Sequence, residues 1–493
     1  MKKFKLIFIG LLGIFLFTGC NEDLEAVSFA EINPSIFPKT ATDVEAVVAA
    51  AYYPLRGSWW DGIHSTSENG LAFILDSSTE ILQGLYGIQE EGSYHSWTPD
   101  SEGAVRPYDR FYNKLSSMTL SIDRIEKSDA IQSIKDYAIA EIKCARGFLA
   151  YELFDMYGPI VVAPLEILQD PLTEAPLARL SHSEMVSFIE KDLKDAAAGL
   201  KGPAETPYGR FSAGMARMIL IRLYLHEKRW ADVEEQANAI MAMGHYELED
   251  DYVSLWDINN TAASSKEVIF AIPSDYAGTS ENQWQLMVLP SNYPEGAGWG
   301  TVQSTWAFYD SFEPTDVRKT NLIAEYTGTD GITYNRANPG DFIQLGPLAL
   351  KIDADSDRGG EFTTVDIILY RYADVLLSKA EAIANKNGAP NQEAIDLVNE
   401  IRTRAQIPTV ELADYSDLYS FNTLILEERS HEYWCENGQY RSDLIRHGRF
   451  TEYNQKLVGV LSQSNKNKEV FPFSFDRINE GKGVFLQNPG YQD

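Results

Sequence analysis

The chain has 493 residues, 44% hydrophobic and 23% charged, which is material for one large or two intimate globular domains with a substantial core. Its 42 basic and 72 acidic residues give a formal charge of −30, which opposes nucleic acid or an anionic lipid surface as a partner. Aromatic residues reach 12%, with 26 Tyr and 9 Trp, a content that favours stacking surfaces for ligands.

In chain order, the first element is an export signal. Lys2, Lys3 and Lys5 form a basic start, Leu6 to Phe17 an apolar run too short for a membrane span, and Thr18-Gly19-Cys20 a small-small-Cys ending. This ending resembles a bacterial lipobox with Phe17 where Leu is usual, so residues 1–19 are expected to be removed and Cys20 to carry the lipid. An ordinary signal peptide with Cys20 as a bystander is the alternative. Asn21-Glu22-Asp23-Leu24-Glu25 opens an acidic tether over 20–40, and the body is expected over 41–493, held to the membrane by acyl chains alone.

Helical periodicity dominates that body. Thr42 can cap a helix that breaks near Pro54; further helices are expected over Tyr108–Glu126 and Ile131–Tyr157, the latter stopping before Gly158-Pro159. Ser181 and Glu184 have capping-box spacing and open a helix that runs to Leu200. Two later stretches, Arg210–Gly244 and Asp366–Gln406, share a helix-turn-helix layout with small residues at the crossings, as in tetratricopeptide repeats. Cys144 and Cys435 fall within helical patterns and are expected to be buried free thiols.

Residues 55–105 and 245–365 read differently, being irregular, rich in turn formers and aromatics, and carrying short β-type runs such as Glu267–Ile272. Long irregular insertions in a compact body are usually functional.

Several catalytic patterns are incomplete. His431-Glu432-Tyr433-Trp434-Cys435 has zinc-ligand spacing without an evident third ligand, and Glu428 and Glu432, one helical turn apart, are expected in a buried ion network with Arg429, Arg441 and Arg446 nearby in sequence. Asp353, Asp355 and Asp357 alternate as in a calcium loop. Arg358 stands where the turn needs glycine and Thr364 where a bidentate Glu belongs, which argues against an EF-hand and leaves an irregular calcium site open. Glu90-Glu91 lacks a defined second carboxyl for glycoside hydrolysis. No catalytic residue, metal site or cofactor is assigned.

The segment Ala140–Tyr151, with Leu153-Phe154 and Tyr157-Gly158-Pro159-Ile160, resembles the long-helix motif of the SusD/RagB family of nutrient-binding lipoproteins. Arg179-Leu180-Ser181 with Phe188–Leu193, Tyr208-Gly209-Arg210-Phe211, Arg371–Leu377 with Ala380-Glu381-Ala382, and Glu427-Glu428-Arg429 through Arg441–Arg446 follow in the family's order. The resemblance implies a mainly α fold of tetratricopeptide-like repeats with long irregular insertions and a few short β-hairpins. It also implies a surface-exposed outer-membrane lipoprotein, not an enzyme, that captures oligosaccharides and delivers them to a SusC-like TonB-dependent transporter. A peptide or glycopeptide ligand, a surface glycan hydrolase and a lid without ligand affinity are the rival readings.

A sugar ring presents a C–H face and a hydroxyl rim, so flat aromatic surfaces with polar edges hold it. The candidate platforms are the loop aromatics Trp59, Trp60 and Tyr86 in the first irregular region and Trp284, Tyr293 and Trp299 in the second. The resemblance supports these as regions rather than as individual residues. Trp97, Trp230, Trp256 and Trp434 read as packing residues.

Overall fold

The computed structural model describes residues 37–57, 62–67, 70–170, 172, 176–259, 262–274, 281–353, 355 and 361–491. The export signal, Cys20, Trp59, Trp60, Asp357 and Arg358 therefore lie outside the described residues.

Helices form the scaffold, most packing on the next. Helix Gln132–Tyr157 lies between Glu102–Lys127 and His182–Gly199; the stack continues through Ala213–His226, Trp230–Met241 and Tyr372–Asn387, on which both Gln392–Arg404 and Leu418–Tyr433 pack. Small residues set the spacing at the crossing of Gln132–Tyr157 with His182–Gly199. A Cβ on Gly147 would sit 2.9 Å from the Leu193 side chain, and one on Gly199 would sit 2.8 Å from the Ala140 Cβ. Larger residues there would push the two helices apart.

The capping box at Ser181 forms as read: its hydroxyl accepts from the Glu184 N–H while the Glu184 carboxylate accepts from the Ser181 N–H. The first helix differs by one half-turn. Its N-cap is Thr40, in a reciprocal pair with Asp43, so the helix runs Ala41–Tyr52 and Thr42 sits inside it. The helix expected from Tyr108 begins at Glu102 and carries Pro107 in its second turn, where the helix goes without the i→i−4 hydrogen bond to the Gly103 carbonyl. Asp366–Gln406 opens as a strand rather than a helix: Ile367–Arg371 pairs antiparallel with Val268–Ile272, because a short β-branched and aromatic run finds a partner strand there before Tyr372 starts the helix.

The irregular regions are built from short pieces tied to one another. Leu82–Gly84 pairs with Val302–Ser304, Leu322–Ile323 with Leu348–Ala349, and Glu325–Thr327 with Thr333–Asn335. The first of these ladders joins the two irregular regions. Further ties come from the Gly57 carbonyl, which accepts from the Glu281 N–H at 2.9 Å, and from Thr66, whose hydroxyl accepts from the Gln283 N–H at 2.7 Å and donates to the Asn282 side chain at 3.0 Å. Cys144 and Cys435 are both buried and unbridged, and burial drives both thiols well above their usual range.

Candidate functional site

The ladder between the irregular regions ends in two exposed aromatic rings. Beyond Gly84, the Leu85 N–H donates to the Thr301 carbonyl at 2.9 Å, and Tyr86 and Trp299 follow at the ends of the two segments. The Tyr86 hydroxyl donates to the Trp299 carbonyl at 3.1 Å, while Tyr86 stays 53% exposed and Trp299 48% exposed. Two large rings are thus presented to solvent from a backbone anchored at both sides.

The anchoring of Trp299 is local and strong. Its N–H donates to the Leu286 carbonyl at 2.7 Å, and the Thr301 N–H donates to the Met287 carbonyl at 2.8 Å, so the segment lies against helix Trp284–Val288. Gly298 is required by this approach: a Cβ would fall 2.4 Å from the Leu289 carbonyl oxygen. Gly300, at φ +55°, adds a left-handed residue that turns the chain into the strand.

Trp284 is a correction to the sequence reading. It is fully buried, stacked on Phe73 with ring centroids 4.6 Å apart, and its Nε1–H donates to the Ala349 carbonyl at 2.9 Å. An indole enclosed on its face and satisfied at its nitrogen anchors the loop to the core and offers no platform. Tyr293 is half-buried against Tyr326, with centroids 5.3 Å apart, and burial pushes its phenol up to about 12. Of the described candidates, Tyr86 and Trp299 are the pair that the fold brings together.

Sequence reading missed a second group of rings. Trp306 and Tyr309, on the short helix Trp306–Ser311 immediately after the ladder, are half-exposed and edge-to-face at 5.7 Å. The Arg336 guanidinium lies 4.8 Å from the Trp306 ring centre, and the Lys319 ammonium 3.8 Å from that of Tyr309. The i,i+3 spacing of two aromatics in an otherwise irregular stretch is the signal that could have identified them.

The catalytic-looking motif resolves into structure. Glu432 is fully buried and receives Arg371 at 2.5 Å and Arg318 at 3.4 Å, together with Arg404; Glu428 receives Arg318 at 2.9 Å, together with Arg402. An ion network is therefore present, but its cations come from residues distant in sequence. Arg429 and Arg446 serve a second cluster with Asp374, Glu381 and Asp443. Against the cost of burial, Arg404, Arg371 and Arg318 hold the Glu432 carboxyl far below its usual range. His431 donates or accepts at Ser311 Oγ over 2.9 Å and stacks on Phe312 at 4.0 Å; burial and the nearby Arg318 depress its basicity. Asp353 and Asp355 are held in separate backbone contacts: Asp353 accepts from the Ile258 N–H, and the Asp355 N–H donates to Gln285. Among the described residues no group of three or more His, Cys, Asp or Glu side chains is arranged to hold a metal, and no helix is long and apolar enough to cross a membrane.

Trp97, Trp256 and Trp434 are buried packing residues, and the Trp97 Nε1–H donates to the Tyr491 hydroxyl at 2.7 Å.

These features define a helical-repeat protein whose irregular insertions carry an exposed aromatic surface. Residues 349–491 match the SusD family. The chain is 24% identical over 538 aligned positions to SusD-like protein P38 of Formosa agariphila, covering 97% of this chain and 98% of that one. It is 22% identical to the starch-binding protein SusD of Bacteroides thetaiotaomicron, over 80% of each. A SusD superfamily protein from Bacteroides vulgatus has the same fold, with a TM-score of 0.76 at 19% identity over 92% of this chain and 100% of that one. The chain is thus similar to the SusD family over residues 349–491 and to SusD-like protein P38 over nearly its whole length.

Proposed function

We propose that this protein is a cell-surface glycan-binding lipoprotein of the outer membrane, which captures oligosaccharides on its exposed rings and delivers them to a partner SusC-like TonB-dependent transporter. The pairing of Tyr86 with Trp299 carries the reading. Two rings, each about half exposed and fixed on a hydrogen-bonded ladder, lose little freedom when a sugar face docks on them. Trp306 and Tyr309, at the other end of the same strand, offer a second contact for a longer chain. The relationship to a starch-binding protein supports a saccharide as the ligand class. The reading assigns no catalysis, because the paired carboxylates at Glu428 and Glu432 are committed to buried arginines.

Retardation in affinity gels containing dissolved polysaccharides tests the binding step. Trp299→Ala and Tyr86→Ala should each lose most of the retardation seen for the wild type; unchanged migration of both would remove the platform. Labelled palmitate should enter the wild type and not Cys20→Ala. Purification from membranes should bring down an outer-membrane barrel, and incubation with a bound glycan should yield no new reducing ends.

A further inference from the structure

A partly open cavity of about 330 Å³ lies between helices Trp306–Ser311, Leu418–Tyr433, Gln439–Arg446 and Phe450–Val458, the first of which also carries Trp306 and Tyr309. Its walls are mixed. Phe308 and Leu457 give apolar surface, Tyr440 and Tyr453 give phenol rings, and Glu80 and Glu427 give two carboxylates. A volume of this size takes a ligand as large as one sugar ring or a short amine.

The carboxylates lack the arginine or lysine that meets other acids, such as Glu432, Glu381 and Glu436, at ion-pair distance. Among the described residues, no lysine, arginine or histidine lies within 4 Å of Glu80 or Glu427. Glu80 receives the Tyr440 hydroxyl on Oε1 at 2.6 Å, and its Oε2 is out of solvent contact with no hydrogen-bond partner. Burial pushes Glu80 up to about 7, and burial and the neighbouring Glu428 raise Glu427 as well, against the opposing charge of Arg402. Tyr453 lies within reach of both: after burial, the charges of Glu80 and then of Glu427 push its phenol up. Lys456, exposed on the same helix, is close enough to favour the Glu80 carboxylate without pairing with it. His431 is kept neutral by burial and by Arg318, and its ring is already bonded to Ser311.

We propose that this cavity binds the primary ammonium group of a small amine, the cation supplying the charge and donors that Glu80 and Glu427 lack, with its carbon body against Phe308 and the Tyr453 ring. An ammonium carries three donors and no acceptor, matching a wall that offers carboxylate, phenol and serine oxygens. The surrounding rings add a favourable face for a cation. Lys456 competes with the ligand for the same carboxylates.

Titration calorimetry of the purified protein separates this from a general sugar pocket, using two amines with their neutral counterparts. The probes are D-glucosamine against D-glucose, and Nα-acetyl-L-lysine amide against its Nε-acetylated form. Each amine, or one of them, should bind at least roughly tenfold more tightly than its neutral partner, and which one wins distinguishes an amino sugar from a lysine side chain as the source. Glu427→Gln, at an exposed position, should weaken that amine severalfold without unfolding, and Glu80→Gln, checked by thermal unfolding, should weaken it about tenfold. Lys456→Gln should tighten it. Equal affinity for both amines and their neutral forms, no binding of either amine at about 10 mM, or lost binding in Lys456→Gln would each overturn the proposal.

Discussion

The C-terminal helical core and the ladder at residues 82–86 and 299–304 handle their costly side chains in opposite ways. In the core, Glu267, Glu428 and Glu432 are buried and each is met by guanidinium groups, several of them drawn from remote segments. At the ladder, large aromatic rings that could have been buried are left in solvent while their backbone is tied down. A buried ion network specifies which segments meet. An exposed ring on a fixed backbone leaves binding energy for something outside the chain.

The contrast breaks most visibly at Arg371. It bonds Glu267, Glu432 and Glu436, so Arg371→Met would leave carboxylates buried with too little positive charge. We expect a loss of about 3–5 kcal/mol in urea unfolding, with the surviving folded fraction still binding glycan. An unfolding midpoint close to wild type would mean that the network contributes nothing to holding the strand pair against the helices.

A comparison of two tryptophans sharpens the same point within one region. Trp284→Ala should cost about 3–5 kcal/mol, because it opens a cavity against Phe73 and strands the Ala349 carbonyl. Trp299→Ala should change stability by less than about 0.5 kcal/mol, since the exposed ring adds little to folding and the backbone bonds that hold it do not involve the side chain. Thermal unfolding beside gel retardation would separate them: Trp284→Ala falls in the first measurement, Trp299→Ala in the second.

These two residues also mark what was legible in the sequence. Helix phases, the Ser181 capping box and the burial of Glu428 and Glu432 follow from spacing within a few residues, and the structure carries all three. The separate fates of Trp284 and Trp299 do not, because they depend on Phe73 and Ala349, which the chain brings in from far away. For the same reason Arg429 and Arg441 suggested themselves as partners of Glu432, where the fold uses Arg371 and Arg404. Ile367–Arg371 read as the start of a helix because its partner strand lies about a hundred residues earlier, where no local periodicity reports it.

A smaller effect is expected at Asp76, a buried acid whose one clear donor is the Gly438 N–H. Burial pushes its carboxyl from 3.8 to about 8, so the folded state holds the proton more tightly than the unfolded chain does. Its stabilising contribution is therefore complete below about pH 4 and is lost as the pH rises toward 8. Asp76→Asn keeps an acceptor for Gly438 and removes the titration. Against wild type it should gain about 1 kcal/mol when unfolding is followed above pH 8 and nothing at pH 4. A variant less stable than wild type at both values would mean that Asp76 is held ionised by its surroundings.

The smallest change tests whether the ladder positions the rings or merely carries them. Tyr86→Phe keeps the ring and deletes the hydroxyl that donates to the Trp299 carbonyl at 3.1 Å. An exposed hydrogen bond of this kind is worth about 0.5–1 kcal/mol at most, and water can replace the lost donor at the carbonyl, so unfolding should be unaffected within error. If the tie holds Tyr86 and Trp299 as one surface, glycan affinity should still fall, by about threefold, because the ring must be ordered when the ligand arrives. Tyr86→Ala, which removes the surface as well, should fall further, by about tenfold. Equal losses in the two variants would assign the effect to the hydroxyl as a ligand contact; no loss in Tyr86→Phe would show that the ring alone matters and that the ladder backbone fixes its position without help.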